Sequence, residues 1–342
     1  MDAQERIGLI KQGTAEIVTE EELSQLIQEN PHPTAYLGVA VTGKVHIGYF
    51  VPLVKIRDFL RAGLKVKILL ADIHAHLDDQ KTPFELLEKR AKYYKQAVAA
   101  LLTAIGADVQ RIQFVKGSDF QLSKEYTIDM YRLAARNTLE RARRAASEVV
   151  RFGSQPKLSG FIYPILQALD EQYLGADIQL GGLDQRKILM FCRENLPRIG
   201  YKARIEIMTP MLPGLTGEKM SASKESTKID ILEDEEMLKR KVKSFYCPEG
   251  KVENNGVLAF AKQVIFPFSQ GPITVNRSAK FGGPLTFENY AQLEESFIKL
   301  KLHPQDLKIW VADQLQERLR IVRKHCKGKE NLIKDAFPEE NA

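Results

Sequence analysis

The feature that most constrains this chain is one stretch in which an apolar strand breaks at glycines and restarts as a helix: Tyr36-Leu37-Gly38-Val39-Ala40-Val41-Thr42-Gly43-Lys44-Val45-His46-Ile47-Gly48-Tyr49. A strand that hands over to a helix N-terminus in this way leaves backbone N–H groups unpaired and aimed at one spot, which suits a phosphate. His46 adds an imidazole donor at the helix start. Gly48, having no side chain, lets a flat ligand lie against the backbone. Any phosphate-bearing ligand meets these conditions, and the rest of the chain has to narrow the choice.

The same alternation runs on either side of that stretch. Thr19 with Glu22 three residues on is a capping box for a short leading helix that Asn30-Pro31 stops. A strand is expected from Thr34 to Val41 and a helix from His46 to Leu60, with Ile47, Phe50, Val51 and Val54 on one face and Gly63 at its end. Lys65 to Ala71 reads as a buried parallel strand, Thr82-Pro83-Phe84-Glu85 as the start of a helix running to Gly106, and Arg111 to Val115 as a third strand. Ser123 is expected to open one long helix through Arg144. Asp177 to Leu180 predicts a further strand, turning through Gly181-Gly182-Leu183-Asp184-Gln185-Arg186-Lys187 into another helix. Strand and helix in alternation predict an α/β fold, a Rossmann-like parallel sheet covered on both faces, with ligands at the carboxyl ends of the strands. From Asp230 on the texture changes to charged helical stretches. The reading is therefore a catalytic domain over 1–227 and a mostly helical domain over 228–342.

Composition bounds the function classes. The 342 residues carry 50 Lys and Arg against 44 Asp and Glu, a net +6 that permits a polyanionic partner without demanding one. Cys192, Cys247 and Cys326 are odd in number and far apart, so neither a disulfide framework nor a zinc site is indicated, and no protein-held metal is expected. The N-terminus lacks the apolar core of a signal peptide and no run reaches the ~18 apolar residues of a spanning helix, so a soluble, cytoplasmic protein without a membrane partner is expected.

Three further features await a use. Arg141, Arg143 and Arg144 form a basic cluster at the end of a helix, which by itself reads as a solvated terminus whose cations favour the helix dipole. Tyr163, Gln167 and Asp170 recur at i, i+4 and i+7, on one face of a helix among apolar neighbours, where polar groups need partners in the core or in a ligand. Lys219-Met220-Ser221-Ala222-Ser223-Lys224 follows a turn-rich stretch and offers lysines and hydroxyls that could hold a triphosphate.

His46-Ile47-Gly48-Tyr49 and, about 170 residues later, Lys219-Met220-Ser221-Ala222-Ser223 strongly resemble, as an ordered pair, the two signatures of class I aminoacyl-tRNA synthetases. Leu70-Ala71-Asp72-Ile73-His74-Ala75-His76-Leu77, Tyr163-Pro164-Ile165-Leu166-Gln167, Gly181 to Lys187 and Lys280-Phe281-Gly282-Gly283 look like tyrosyl-tRNA synthetases of the archaeal and eukaryotic type, and the likeness runs from about Gly8 to about Arg323. Tyr49 departs from the histidine or small residue usual at the end of the first motif. Ala222 stands where many class I enzymes carry a second lysine.

The resemblance implies tyrosine activation by ATP and transfer of the tyrosyl group to tRNA(Tyr), with Mg²⁺ riding on ATP and pyrophosphate. It assigns His46, Lys219, Ser221 and Ser223 to catalysis, and Gly38, Gly48, Gly182, Asp184 and Met220 to ATP or the adenylate. Tyr36 and Asp170 would grip the phenolic hydroxyl, and Tyr163, Gln167 and Gln185 the α-ammonium group. Arg144 and Arg186 fall where the acceptor stem is read; Phe281, His303, Pro304 and Asp306 fall where the anticodon is read. The segment 117–160 matches the connective insertion through which the family forms homodimers. Two other readings stay open here: a tryptophanyl-tRNA synthetase, and an inactive homologue that binds tRNA or signals.

Overall fold

The computed structural model describes residues 1–213, 228–269 and 271–338. Asp2 caps the first helix, α1 (Ala3–Lys11), accepting from the Glu5 backbone N–H while the Glu5 carboxylate reaches back. A short edge strand β1 (Glu16–Val18) follows, and Thr19 caps α2 (Glu20–Glu29) as its sequence predicts, accepting from Glu22 N at 3.2 Å. The helix expected to lead the chain is thus its second one.

The strand β2 (Thr34–Ala40) ends in the glycine turn, a single 3₁₀ turn over Ile47–Tyr49 leads into α3 (Phe50–Arg61), and β3 (Lys65–Ala71) lies where expected. After α4 (Asp72–Leu77), Thr82 does not cap the next helix. Its hydroxyl donates instead to Val41 O at 2.8 Å, and α5 (Leu87–Ala104) begins after a 3₁₀ turn. The third expected strand is β4 (Ile112–Lys116). A turn of helix, α6 (Ser118–Gln121), precedes α7 (Lys124–Ala134) and α8 (Leu139–Ala146), two helices where the sequence suggests one. Asn137 turns its amide back onto Leu133 O and Thr138 caps α8 through Arg141 N, so local side-chain bonds replace the helical ladder between them.

Then come α9 (Leu158–Tyr173), β5 (Ile178–Gly182), α10 (Arg186–Asn195) and a strand the sequence reading passed over, β6 (Ile205–Thr209), every residue of which is buried. The sheet order is β1-β6-β5-β2-β3-β4, parallel except for β1, which runs antiparallel to β6. The chain winds outward from β2 through β3 to β4, then returns to the other side of β2 as β5. The two strands that end in glycine turns are therefore neighbours, paired Ala35 to Ile178 and Leu37 to Leu180, and the crevice at their carboxyl ends is the switch point of the sheet.

Beyond residue 227 the chain is mainly helical: α11 (Glu235–Lys243), α12 (Gly256–Phe260), α13 (Tyr290–Ile298), α14 (Pro304–Cys326) and α15 (Glu330–Ala336). A two-stranded antiparallel sheet, β7 (Ile273–Val275) with β8 (Leu285–Phe287), interrupts it and was not anticipated. The apolar face of α14, including Leu307, Val311, Leu315 and Leu319, joins the same core as the sheet and α5. Among the described residues no helix is long and apolar enough to cross a membrane.

Candidate active site

A cavity of about 360 Å³ opens at the switch point, bounded by β2, the first glycine turn, the ends of β5 and β6, and α9. Tyr36 comes from β2 and Asp170 from α9, whose face presents Tyr163, Gln167 and Asp170 together as their spacing predicts. At the floor, Asp170 Oδ1 accepts from Gln121 Nε2 at 2.8 Å and from the Tyr126 hydroxyl at 2.9 Å. Its other oxygen, Oδ2, has no hydrogen-bond partner among the described residues and lies 3.6 Å from His74 Nε2. The Tyr36 hydroxyl and His74 Nε2 are also buried without a partner among the described residues. Such groups carry a desolvation cost of ~1–3 kcal/mol each until something bonds them. All three residues border the cavity, as do the apolar side chains of Leu69 and Ala71 from one face of β3. The floor is thus built for a small group that both donates and accepts, such as a hydroxyl.

Charge follows from burial. Desolvation drives the His74 imidazole down to about 3, so it is neutral and the contact with Asp170 is not an ion pair. Desolvation also lifts Asp170 to about 7, against the opposing effect of the Gln121 and Tyr126 hydrogen bonds. Above the floor, His74 meets the Tyr163 ring edge-on at 4.6 Å, and Gln167 Nε2 reaches Gln185 Oε1 at 3.4 Å. Asp78 also lines the cavity, its Oδ2 paired with the Lys81 ammonium and its Oδ1 buried without a hydrogen-bond partner among the described residues.

The other end of the cavity carries the first motif. Gly48 N donates to His46 Nδ1 at 3.1 Å, which leaves the ring proton on Nε2. Burial, helped by Lys228, lowers His46 to about 4, so the side chain is a neutral donor at pH 7. Tyr49, the departure from the usual motif, packs its ring edge-on to His46 at 5.2 Å and donates to the Tyr94 hydroxyl at 3.5 Å; it buttresses the imidazole. Gly182 faces it from β5. A Cβ at Gly182 would stand 2.5 Å from Asp184 Oδ1 and 3.4 Å from Met211 Sδ, so the backbone here runs against its own carboxylate. At Gly38 a Cβ would meet nothing of the protein closer than 3.9 Å, which leaves the cavity side as the reason for glycine. Lys219, Met220, Ser221, Ala222 and Ser223 lie outside the described residues. The chain after them is bonded directly to the first motif, Ile47 N to Ile229 O at 3.0 Å and Ile231 N to Val45 O at 3.3 Å, with His46 bridged to Asp230.

Comparison with known proteins decides the family. Residues 28–320 match the family model described as tRNA synthetases class I (W and Y). A tyrosine–tRNA ligase of Haloarcula marismortui is 45% identical over 342 residues, covering 99% of either chain. A cytoplasmic tyrosine–tRNA ligase of Danio rerio is 46% identical over 99% of this chain, which spans 64% of that longer protein. A tyrosyl-tRNA synthetase of Archaeoglobus fulgidus, solved in complex with L-tyrosine, superposes with a TM-score of 0.90 at 44% identity, over 95% of this chain and 99% of that one. This chain belongs to the tyrosyl branch of the class I tRNA synthetases.

The residues expected to meet RNA are dispersed over two further regions. Arg144 and Arg186 border a cavity of about 590 Å³ with Arg141 and Lys187, on α8 and α10. Arg186 is held there by Glu16, its Nε and Nη2 each donating at 2.8 Å. Phe281 ends a 3₁₀ turn between β7 and β8 and is 62% exposed, with the Lys280 ammonium over its ring at 5.9 Å. His303 caps α14, its Nδ1 accepting from Gln305 N at 3.1 Å; Pro304 and Asp306 lie in the first turn. His74, Gln121, Tyr126 and Asp78 were not singled out from the sequence as site residues. His74 stands inside a motif already quoted, but Gln121 and Tyr126 reach Asp170 from separate helices and carry no local signal.

Proposed function

We propose that the chain activates L-tyrosine with ATP to tyrosyl-adenylate and passes the tyrosyl group to tRNA(Tyr). The observation that carries this reading is the floor of the cavity, where Tyr36 Oη and Asp170 Oδ2 are buried beside a neutral His74 without a hydrogen-bond partner among the described residues. A phenol donates to Asp170 and accepts from Tyr36. Phenylalanine would leave both groups unpaired, a difference of the kind that rejects a substrate by about 10⁴ to 10⁵. An indole N–H satisfies Asp170 but offers Tyr36 no acceptor, which disfavours tryptophan. The relatives named tyrosine–tRNA ligase and the Archaeoglobus structure that holds L-tyrosine support the same assignment.

With the phenol at the floor, Tyr163, Gln167 and Gln185 hold the ammonium end, and Asp78 offsets its charge. The carboxylate then faces the first motif. It is ionised at pH 7 and needs no general base. As the carboxylate oxygen attacks the α-phosphorus, the bond to pyrophosphate breaks, and the work left for the protein is alignment and stabilisation of charge. His46 donates from Nε2 to the phosphates without giving up its proton. Gly48 lies under the adenine, Gly38 and Gly182 allow the adenylate close, and Asp184 takes the ribose hydroxyls. Lys219, Ser221 and Ser223, with the Met220 backbone, complete the phosphate contacts, and Mg²⁺ arrives as part of the ATP substrate.

The RNA side follows the same reading. Arg144 and Arg186 contact the acceptor stem, Phe281 stacks on an anticodon base, and His303, Pro304 and Asp306 border it. The division near residue 227 separates the activating half from the anticodon half. A homodimer formed through 117–160, working in the cytosol, is the assembled form. The test is pyrophosphate exchange with each of the twenty amino acids: tyrosine alone should support it, and exchange driven by tryptophan, or by none, overturns the reading.

A further inference from the structure

The turn that delivers His46 is held from behind. Arg90, Tyr93 and Tyr94, at i, i+3 and i+4 on α5, present one face to residues 41–45. Arg90 Nη1 donates to Thr42 O at 2.5 Å and to Thr82 Oγ1 at 3.1 Å, while Thr82 itself donates to Val41 O at 2.8 Å. The Tyr94 hydroxyl donates to Gly43 O at 2.6 Å and accepts from Gly43 N at 3.2 Å, and Tyr93 Oη accepts from Val45 N at 3.0 Å. In this way side chains of α5 and Thr82 bond the backbone at Val41, Thr42, Gly43 and Val45. Arg90, Tyr93, Tyr94 and Thr82 do not border the cavity, whereas Thr42 and His46 do.

The far side of Arg90 is covered by the end of the described chain. Arg90 Nε donates to Ala336 O at 3.0 Å, and the Phe337 ring lies 4.7 Å from the guanidinium carbon and edge-on to Tyr93 at 5.2 Å. Arg90 is 3% exposed and Phe337 2%. A charge-assisted hydrogen bond to a carbonyl is strong when water is kept away and weak when water competes. The apolar cover therefore determines how firmly Thr42 is held.

We propose that Arg90, roofed by Phe337, is a positioning residue for adenylate formation: the C-terminal segment 330–337 sets the backbone of Thr42 to Val45 and through it the place of His46 at the nucleotide. The tyrosine floor, built on Tyr36, Asp170 and His74, lies outside this coupling. The inference rests on the adenylation reading above.

The experiment compares the full chain with Phe337→Ala, Phe337→Leu and Arg90→Lys in pyrophosphate exchange at 20 °C, with melting curves and equilibrium binding of tyrosine alongside. Phe337→Ala and Arg90→Lys should each lower kcat/KM for ATP by about tenfold or more, the size of one lost charge-assisted hydrogen bond. The tyrosine dissociation constant should stay within about twofold, because the floor is untouched. Phe337→Leu, which keeps an apolar roof, should recover most of the loss. ATP parameters unchanged in folded variants overturn the proposal, as does a loss of tyrosine binding in step with ATP. If Phe337→Ala does not fold, Arg90→Lys with Phe337→Leu decides between the outcomes. A wild-type chain that catalyses no tyrosine-dependent exchange sinks the adenylation reading itself, a different result from active wild type with unaffected variants.

Discussion

In the proposed site Asp170 accepts from the substrate's phenolic hydroxyl, and its chemistry predicts a pH profile. Burial raises its carboxyl to about 7, so the side chain takes up its proton near neutral pH. A protonated Asp170 loses the charge that makes Oδ2 a strong acceptor, and tyrosine binding should weaken as pH falls through that value. The expected KM for tyrosine is flat above pH 8 and rises toward about tenfold per unit well below 7. Asp170→Asn should raise that KM by about 10- to 100-fold, as loss of a hydrogen bond to a charged group does, and should abolish the slope. Initial rates of pyrophosphate exchange across pH 5.5 to 9 check both; a wild-type KM that is flat through pH 7 removes Asp170 from the phenol. His46 adds no slope in that range, because its proton uptake is pushed down to about 4.

At the scale of elements, the end of β5 offers a cleaner probe than a catalytic deletion. A methyl at Gly182 displaces the Asp184 carboxylate and presses on Met211, both side-chain ends rather than backbone, so the fold should survive. Gly182→Ala is expected to melt near the wild type while its KM for ATP rises by about tenfold, the effect of one misplaced ribose contact. Equal loss for tyrosine and ATP would show general distortion of the site instead. What the sequence made legible at this scale was whatever local patterning controls: β2 and β3 from continuous apolar runs, the Thr19 and Ser123 caps, and the polar face of α9. What it hid depends on distant partners. β1 is a three-residue edge that exists by pairing with β6, the Asn137 and Thr138 side chains break a helix whose periodicity runs on, and Gln121 and Tyr126 become site residues only where α6 and α7 pack on α9.

The whole molecule has two properties that no single element determines, its pH-stability curve and its assembly. Behind Tyr36, across one row of the sheet, Gln179 and Glu206 stand on β5 and β6, and Glu171 descends from α9; both carboxyls are fully buried and burial raises both. Groups raised in this way make the fold bind more protons than the unfolded chain, so stability is lost as pH rises from about 4.5 through the raised values. The buried histidines act in the opposite sense, losing stability as pH falls from about 6.5 toward their lowered values. Melting temperature should therefore decline from pH 6 to 9, and Glu206→Gln should flatten that decline; an unchanged decline would place its cause elsewhere. Leu122, Ile128, Tyr131, Leu139 and Leu158 are all exposed within the single segment 117–160, with Ile128 and Tyr131 one turn apart on α7. Exposed apolar residues are ordinary singly, and their concentration in this segment is consistent with the homodimer proposed above. With a second copy as the cover, Tyr131→Glu buries a charge at the contact and should yield monomers by light scattering at micromolar concentration. Because the proposed tyrosine and ATP contacts lie within one chain, exchange should persist in the monomer at about the wild-type rate. Charging of tRNA should fall steeply, since one RNA is expected to span the acceptor surface of one copy and the anticodon surface of the other. A wild-type protein that is monomeric, or a monomeric variant that charges tRNA normally, would break that link between assembly and function.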